Sequence, residues 1–73
     1  MPIVKVIEVI ASSEKSIEDA LNNAVSEISK TVRNIDSIYV KHIKCHVKDG
    51  EISTYGVNCD VSFRIESGNA GNE

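Results

Sequence analysis

The stretch Val47-Lys48-Asp49-Gly50-Glu51-Ile52 decides the fold, because an Asp-Gly pair between two apolar runs predicts a β-hairpin. Asp49 and Gly50 suit the positive φ angles of a type I′ turn, which joins two antiparallel strands. The pattern predicts strands from about Ser37 to Lys48 and from Glu51 to Glu66. Pairing Lys48 with Glu51 then sets the expected register of the whole hairpin.

That register divides the hairpin into two faces. One face is apolar and is predicted to pack on a helix; it holds Ile38, Val40, Tyr55, Val57, Cys59, Val61, Phe63 and Ile65. The second face is mostly polar and holds Ser37, Tyr39, Lys41, Asn58, Asp60, Ser62 and Arg64. Near the turn, however, four apolar residues fall on the polar face: Ile43, Cys45, Val47 and Ile52. Either β-bulges move them to the apolar face or another subunit covers them, and we favour the subunit contact.

One strand and one helix precede the hairpin. Ile3 to Ala11 is rich in Val and Ile and is apolar on both sides, as in a strand covered on both faces. Ser16 is the expected N-cap, with Asp19 three residues later. The helix is predicted to run from Ile17 to about Arg33, with Asn34 as its left-handed terminator. Its apolar stripe consists of Ile17, Ala20, Leu21, Ala24, Val25, Ile28 and Val32.

These elements predict an α+β fold with the order β-α-β-β. A right-handed crossover makes the first two strands parallel, so the third lies between them, antiparallel to both, in a three-stranded mixed sheet packed on one helix. We expect one domain over residues 1–66 and a disordered tail over 67–73, which lacks large apolar residues. A domain this small is marginal alone, and oligomerisation is one usual remedy.

Composition excludes several classes of partner. The formal net charge is −3 and no basic face runs along an element, so a nucleic acid is not expected. The longest apolar run contains Glu8 and is too short to span a membrane. The first residues lack the pattern of a signal peptide, so a cytoplasmic location is expected. Cys45 and Cys59 are predicted on opposite faces, which argues against a disulfide between them.

No catalytic constellation is visible. The sequence contains no P-loop, no G-x-G-x-x-G and no nucleophile elbow, and the carboxylates Glu8, Asp36 and Asp60 have no obvious partners. His42 and His46 share a strand face but lie about 13 Å apart, too far for one metal ion within a chain. We interpret them, like Lys44 and Lys48, as surface residues. The chain is therefore expected to bind rather than catalyse.

Several segments in order resemble the dodecin family, from about Val4 to Glu66. The matching pieces are Lys5 to Ile10 with Ser12-Ser13, Lys15 to Ala20 with Asn23 to Val25, Ser29 to Ile35, Val47 to Ile52, Tyr55, Val57-Asn58 and Val61 to Phe63. The resemblance implies a hollow homododecamer of β-α-β-β protomers that stores flavins such as FMN or riboflavin. Some members also bind coenzyme A, and a subset is described as calcium-binding without the flavin residues.

The resemblance also locates a candidate cofactor site. The family's flavin-stacking tryptophan falls on Ser37 and its flavin-binding glutamine on Gly56; the chain has no tryptophan. Tyr39, two residues from Ser37 on the same face, is either a substitute platform or a subunit contact. These replacements are expected to weaken flavin binding by about two orders of magnitude or more. The alternative to a flavin-storing shell is a structural or calcium-binding shell without flavin.

Overall fold

A computed structural model describes residues 3–65, which form a three-stranded sheet and one helix. The elements are β1 (Ile3–Ser13), α1 (Ile17–Ile28), β2 (Ile35–Lys48) and β3 (Glu51–Ile65). Strand β3 lies between β1 and β2 and is antiparallel to both. The predicted fold and strand order are therefore confirmed. The predicted tail over 67–73 lies outside the described residues.

The turn between β2 and β3 has the geometry that Asp49-Gly50 predicts. Both residues have positive φ angles, 54° for Asp49 and 79° for Gly50. Lys48 pairs with Glu51, as the sequence indicated. The predicted register at the turn is therefore correct.

Helix α1 begins where expected and ends early. The Ser16 hydroxyl accepts the backbone N–H of Asp19 at 2.9 Å and caps the first turn. The last helical residue is Ile28, so the predicted end at Arg33 is wrong. The backbone N–H groups of Lys30 and Thr31 donate to carbonyls three residues back, at Glu27 and Ile28. This tighter turn leads into β-branched Thr31 and Val32, which favour a helix less than the preceding residues do.

Three β-bulges alter the predicted hairpin register. The pairing shifts between Ile35 and Ser37, between Val40 and His42, and between His46 and Val47, which leaves Asp36, Lys41 and Ser53 as extra residues. Directly paired residues of antiparallel strands share a face. Because Ile43 pairs with Val57 and Cys45 with Tyr55, the bulge at Lys41 reverses the alternation of side chains along the following part of β2.

The four apolar residues near the turn therefore lie on the helix side of the sheet, so β-bulges do move them, as the less favoured alternative had it, and their predicted position on the polar face is wrong. They nevertheless remain exposed, with 57% of Ile43, 66% of Val47 and 51% of Ile52 accessible. We call Ile43, Cys45, Val47 and Ile52 the tip patch. Cover by another subunit stays a prediction.

The core explains why the tip patch is uncovered. Helix α1 packs on β1 and β3, with Ala20 fully buried against Val57 and Cys59. A helix of 12 residues is about 18 Å long, whereas strands of 14 and 15 residues extend for roughly 50 Å. The helix can cover only part of the sheet, and the hairpin projects beyond it.

Both cysteines are free thiols. The register places Cys45 and Cys59 on the same side of the sheet, so the prediction of opposite faces is wrong. Cys45 pairs with Tyr55, which lies four residues from Cys59 along β3. This separation is about 13 Å, which is too far for a disulfide. Cys59 is buried in the core and Cys45 is exposed at the tip patch.

No helix in the described part of the chain has the length and hydropathy needed to cross a membrane.

Candidate functional site

The candidate site lies on the sheet face that points away from α1, which we call the open face. Cross-strand pairing arranges its side chains in rows of one residue from each strand. The rows run Ser12–Gly56–Lys44, Ile10–Asn58–His42 and Glu8–Asp60–Tyr39, followed by Val6–Ser62–Ser37. All three predicted cofactor-binding positions, Ser37, Tyr39 and Gly56, thus lie on this one face.

A cavity of about 460 Å³ opens on this face above Gly56, and we call it the Gly56 cavity. Its lining comes from all three strands and consists of Ile10, Ala11, Ser12, His42, Lys44, His46, Gly56 and Asn58. The lining holds one ammonium group, two imidazoles, a hydroxyl and an amide, and no carboxylate. This set of hydrogen-bond donors suits an anionic group, such as a phosphate.

The backbone of Gly56, which carries no side chain, forms the floor of the cavity. A Cβ atom added there would lie 3.1 Å from the backbone oxygen of Lys44 and 4.0 Å from that of Ala11. The contact with Lys44 is tighter than ordinary van der Waals distance, so a larger residue would require a small movement of β2. Glycine at this position therefore leaves bare backbone on which a ligand can lie close to the sheet.

The three predicted cofactor positions are not close together within one chain. Ser37 pairs with Ser62, six residues along β3 from Gly56, which corresponds to about 20 Å. Tyr39 pairs with Asp60, four residues or about 13 Å from Gly56. The Tyr39 side chain is 68% exposed. Ser37 and Gly56 could therefore contact one ligand together only if a second copy of the chain supplied one of them.

An ion-pair cluster crosses the open face between Tyr39 and the Gly56 cavity. The Lys41 ammonium donates to Glu8 Oε2 at 3.0 Å and lies 3.9 Å from Asp60 Oδ1. The hydrogen bond that Lys41 donates to Glu8, followed by the charges of Asp60 and Glu8, raises the pKa of Lys41 above its usual value. We call Lys41, Glu8 and Asp60 the Lys41 cluster.

Residues 3–65 contain no group of three or more His, Cys, Asp or Glu side chains placed to hold a metal ion. His42 and His46 share one face of β2, as the sequence indicated, but that face is the open face, where they pair with Asn58 and Thr54. Their four-residue separation along β2 is about 13 Å, consistent with the prediction that they do not share one metal ion within a chain.

A second cavity, of about 580 Å³, lies where the segment after α1 meets the end of β3. Its lining consists of Thr31, Val32, Arg33, Asn34, Phe63, Arg64 and Ile65. Asn34 has the positive φ expected of it, 61°, and its carbonyl accepts the backbone N–H of Arg64 at 3.0 Å. This cavity contains none of the predicted cofactor positions.

Sequence reasoning missed the contribution of Lys44, His42 and His46 to the site. The predicted register placed His42 and Lys44 on the helix face, and the bulge at Lys41 moves them to the open face. It also missed the partner of Glu8 and Asp60, because nothing in the sequence sets the register between β1 and β3. Lysine at position 41 on the polar face was the available signal for an ion pair.

Comparison with known proteins gives one consistent result. The family model Dodecin matches residues 3–66. The chain is 32% identical to the dodecin from Thermus thermophilus over 62 residues. That alignment covers 85% of this chain and 90% of the Thermus protein. Its fold matches the structure of dodecin from Streptomyces coelicolor with a TM-score of 0.85 and 29% identity, covering 90% of this chain and 94% of that one.

A second similar structure is that of the calcium-chelating immunodominant antigen calcium dodecin from Mycobacterium tuberculosis, described as having a novel calcium-binding site. It matches with a TM-score of 0.75 and 32% identity, over 89% of this chain and 93% of that chain.

Proposed function

Because the chain belongs to the dodecin family, we propose that it is a binding and storage protein that assembles into a homododecameric shell. Each copy holds an anionic small ligand in the Gly56 cavity, and FMN is the first candidate. The observation that carries this proposal is the lining of the cavity, which combines Lys44, His42 and His46 with a glycine floor and contains no carboxylate. This local charge is the opposite of the formal charge of the chain, −3.

The residues of the site fit one part of FMN better than the other. Lys44 and one of the two imidazoles would hold the phosphate through charge-assisted hydrogen bonds, and Ser12 and Asn58 would bind hydroxyl groups of the ribityl chain. The flavin ring finds no tryptophan in this chain, so Tyr39 of the same or a neighbouring copy is its aromatic contact. When bound, FMN supplies a planar redox-active ring, and the shell limits its access to solvent.

Assembly is supported by the apolar surface that one chain leaves uncovered. The tip patch is exposed on the helix side, and Val4, Val6 and Ile10 of β1 are exposed on the open face at 54%, 54% and 76%. Contact between copies would remove both surfaces from water. It would also allow Ser37 or Tyr39 of one copy to approach the Gly56 cavity of another.

Two other ligands follow from the family. Coenzyme A also carries phosphate groups, and the same lining of the cavity would bind them. A calcium-binding shell is the second candidate function, because a similar protein is described as calcium dodecin. Calcium requires six to eight oxygen ligands, so its site would have to be shared between copies. We also propose a cytoplasmic location, which cell fractionation tests.

The proposal is tested by titrating the purified protein with FMN and with riboflavin while following flavin fluorescence. Because the cavity contacts the phosphate, FMN is expected to bind at least about tenfold more tightly than riboflavin, which lacks it. Lys44→Gln should remove most of that preference. Lys48→Gln, which removes the same charge from a lysine outside the cavity lining, is the matched control.

Equal affinities for FMN and riboflavin in the wild type would contradict the proposal, as would a preference that survives Lys44→Gln. Coenzyme A is added as a competitor of bound FMN, and displacement that Lys44→Gln weakens would indicate a shared phosphate site. Saturable calcium binding with no FMN binding would favour the calcium-binding shell.

A further inference from the structure

Lys41 is the extra residue of the bulge between Val40 and His42 in β2, and its ammonium group contacts side chains of both other strands. It donates to Glu8 Oε2 on β1 at 3.0 Å and lies 3.9 Å from Asp60 Oδ1 on β3. Glu8 and Asp60 form a directly opposed cross-strand pair. Two like charges in that position repel each other unless a cation lies between them.

Without Lys41, the carboxylate pair has the chemistry of a cation site. Carboxylate oxygens are the preferred ligands of Ca²⁺, at 2.3–2.6 Å. The Lys41 nitrogen occupies the position from which one cation can reach both Glu8 and Asp60. Since the pKa of Lys41 is raised by these same two carboxylates, the group keeps its charge at all physiological pH values.

The bulge at Lys41 has two consequences for the open face. It keeps Lys41 on this face beside Tyr39, and it reverses the alternation that follows, so that His42 and Lys44 also lie on this face. The same extra residue therefore offsets one of the two carboxylate charges of the Lys41 cluster and turns basic side chains toward the Gly56 cavity.

We propose that Lys41 determines the ligand specificity of the open face, by acting as a tethered cation between Glu8 and Asp60 that excludes divalent cations and leaves the face selective for anions. The anion selectivity rests on the proposed function. The exclusion of cations does not, and it is tested without any flavin.

Terbium luminescence tests the exclusion directly. Tb³⁺ takes oxygen ligands as Ca²⁺ does, and a tyrosine ring nearby sensitises its emission. Tyr39 pairs with Asp60, so a Tb³⁺ ion between Glu8 and Asp60 would lie close to that ring, whereas Tyr55, the other tyrosine, lies on the helix side. Lys41→Gln is expected to lower the apparent dissociation constant for Tb³⁺ at least about tenfold relative to wild type.

Three further variants identify the site. Lys48→Gln makes the same change in net charge at a lysine that forms no ion pair within residues 3–65, and it should behave as wild type. Lys41→Arg keeps the charge and should also behave as wild type. Adding Asp60→Asn to Lys41→Gln should abolish the new emission. If circular dichroism shows that Lys41→Gln is unfolded, Lys41→Met makes the same test while keeping the aliphatic stem.

Saturable emission that appears in Lys41→Gln and disappears with Asp60→Asn supports the proposal. It is overturned if Lys41→Gln binds Tb³⁺ no better than Lys48→Gln, or if the wild type already binds Tb³⁺ through Asp60. Because the readout contains no flavin, failure of FMN binding and failure of cation exclusion are distinguishable.

Discussion

Val47→Asp should dissociate the assembly, because it places a carboxylate in the tip patch directly opposite Ile52. Val47 is 66% exposed in the single chain, and full burial of such a side chain is worth about 1.5–3 kcal/mol. Contact with another copy can therefore supply about two thirds of this burial free energy, roughly 1–2 kcal/mol per copy. The aspartate loses this gain and also pays a desolvation cost of at least about 1–3 kcal/mol. In a symmetric assembly the loss recurs at every equivalent contact.

Light scattering on a sizing column measures the result. The wild type is expected at about twelve times the chain mass of 8.0 kDa, and Val47→Asp at a much smaller mass. Asn22→Asp is the matched control, because it adds the same charge to an exposed position on α1. A Val47→Asp protein that keeps the mass of the wild type would refute the assignment of the tip patch as a subunit contact. Equal dissociation by Asn22→Asp would show that charge alone, and not the patch, is responsible.

Three further predictions follow from the same structure. Ser37→Trp combined with Gly56→Gln should tighten riboflavin binding at least about tenfold in the assembled protein, as measured by fluorescence quenching; no gain would show that the assigned positions or the cavity shape are wrong. Ser16→Ala should lower the free energy of unfolding by about 1 kcal/mol in urea, because the cap on the Asp19 N–H is lost, whereas the exposed Ser26→Ala should change it by less than about 0.5 kcal/mol. Cys45 should react slowly with a thiol reagent in the assembled wild type and fast in Val47→Asp. Cys59, whose thiol pKa is raised mainly by burial, should react in neither protein. Rapid labelling of Cys45 in the intact shell would contradict cover of the tip patch.

The hairpin shows how far sequence reasoning can reach. Asp49-Gly50 correctly predicted the turn and the pairing of Lys48 with Glu51, and the register is again as predicted from Ser37 to Val40. Between these two segments it differs by one residue, because a bulge leaves no distinctive residue in the sequence. Ser53 is one such extra residue, and its hydroxyl donates to the His46 carbonyl at 3.3 Å, a contact that no pattern of apolar residues predicts.

The site was predictable only in part, for the same reason. The family resemblance directed attention to Gly56, whose role in binding stays a prediction, and alternation along β2 correctly placed Ser37 and Tyr39 on one face. The basic lining depends on the bulge at Lys41, so the predicted register turned His42 and Lys44 away from the cavity. The end of α1 was missed because the apolar spacing continues to Val32, whereas the backbone N–H groups of Lys30 and Thr31 already donate three residues back instead of four.

The most direct test is an experimental structure of the assembled protein crystallised with FMN. We expect a phosphate in the Gly56 cavity, with a phosphate oxygen about 2.7–2.9 Å from Lys44 Nζ in each copy. A phosphate bound instead between Arg33 and Arg64, or FMN absent from a shell soaked at saturating concentration, would contradict this expectation.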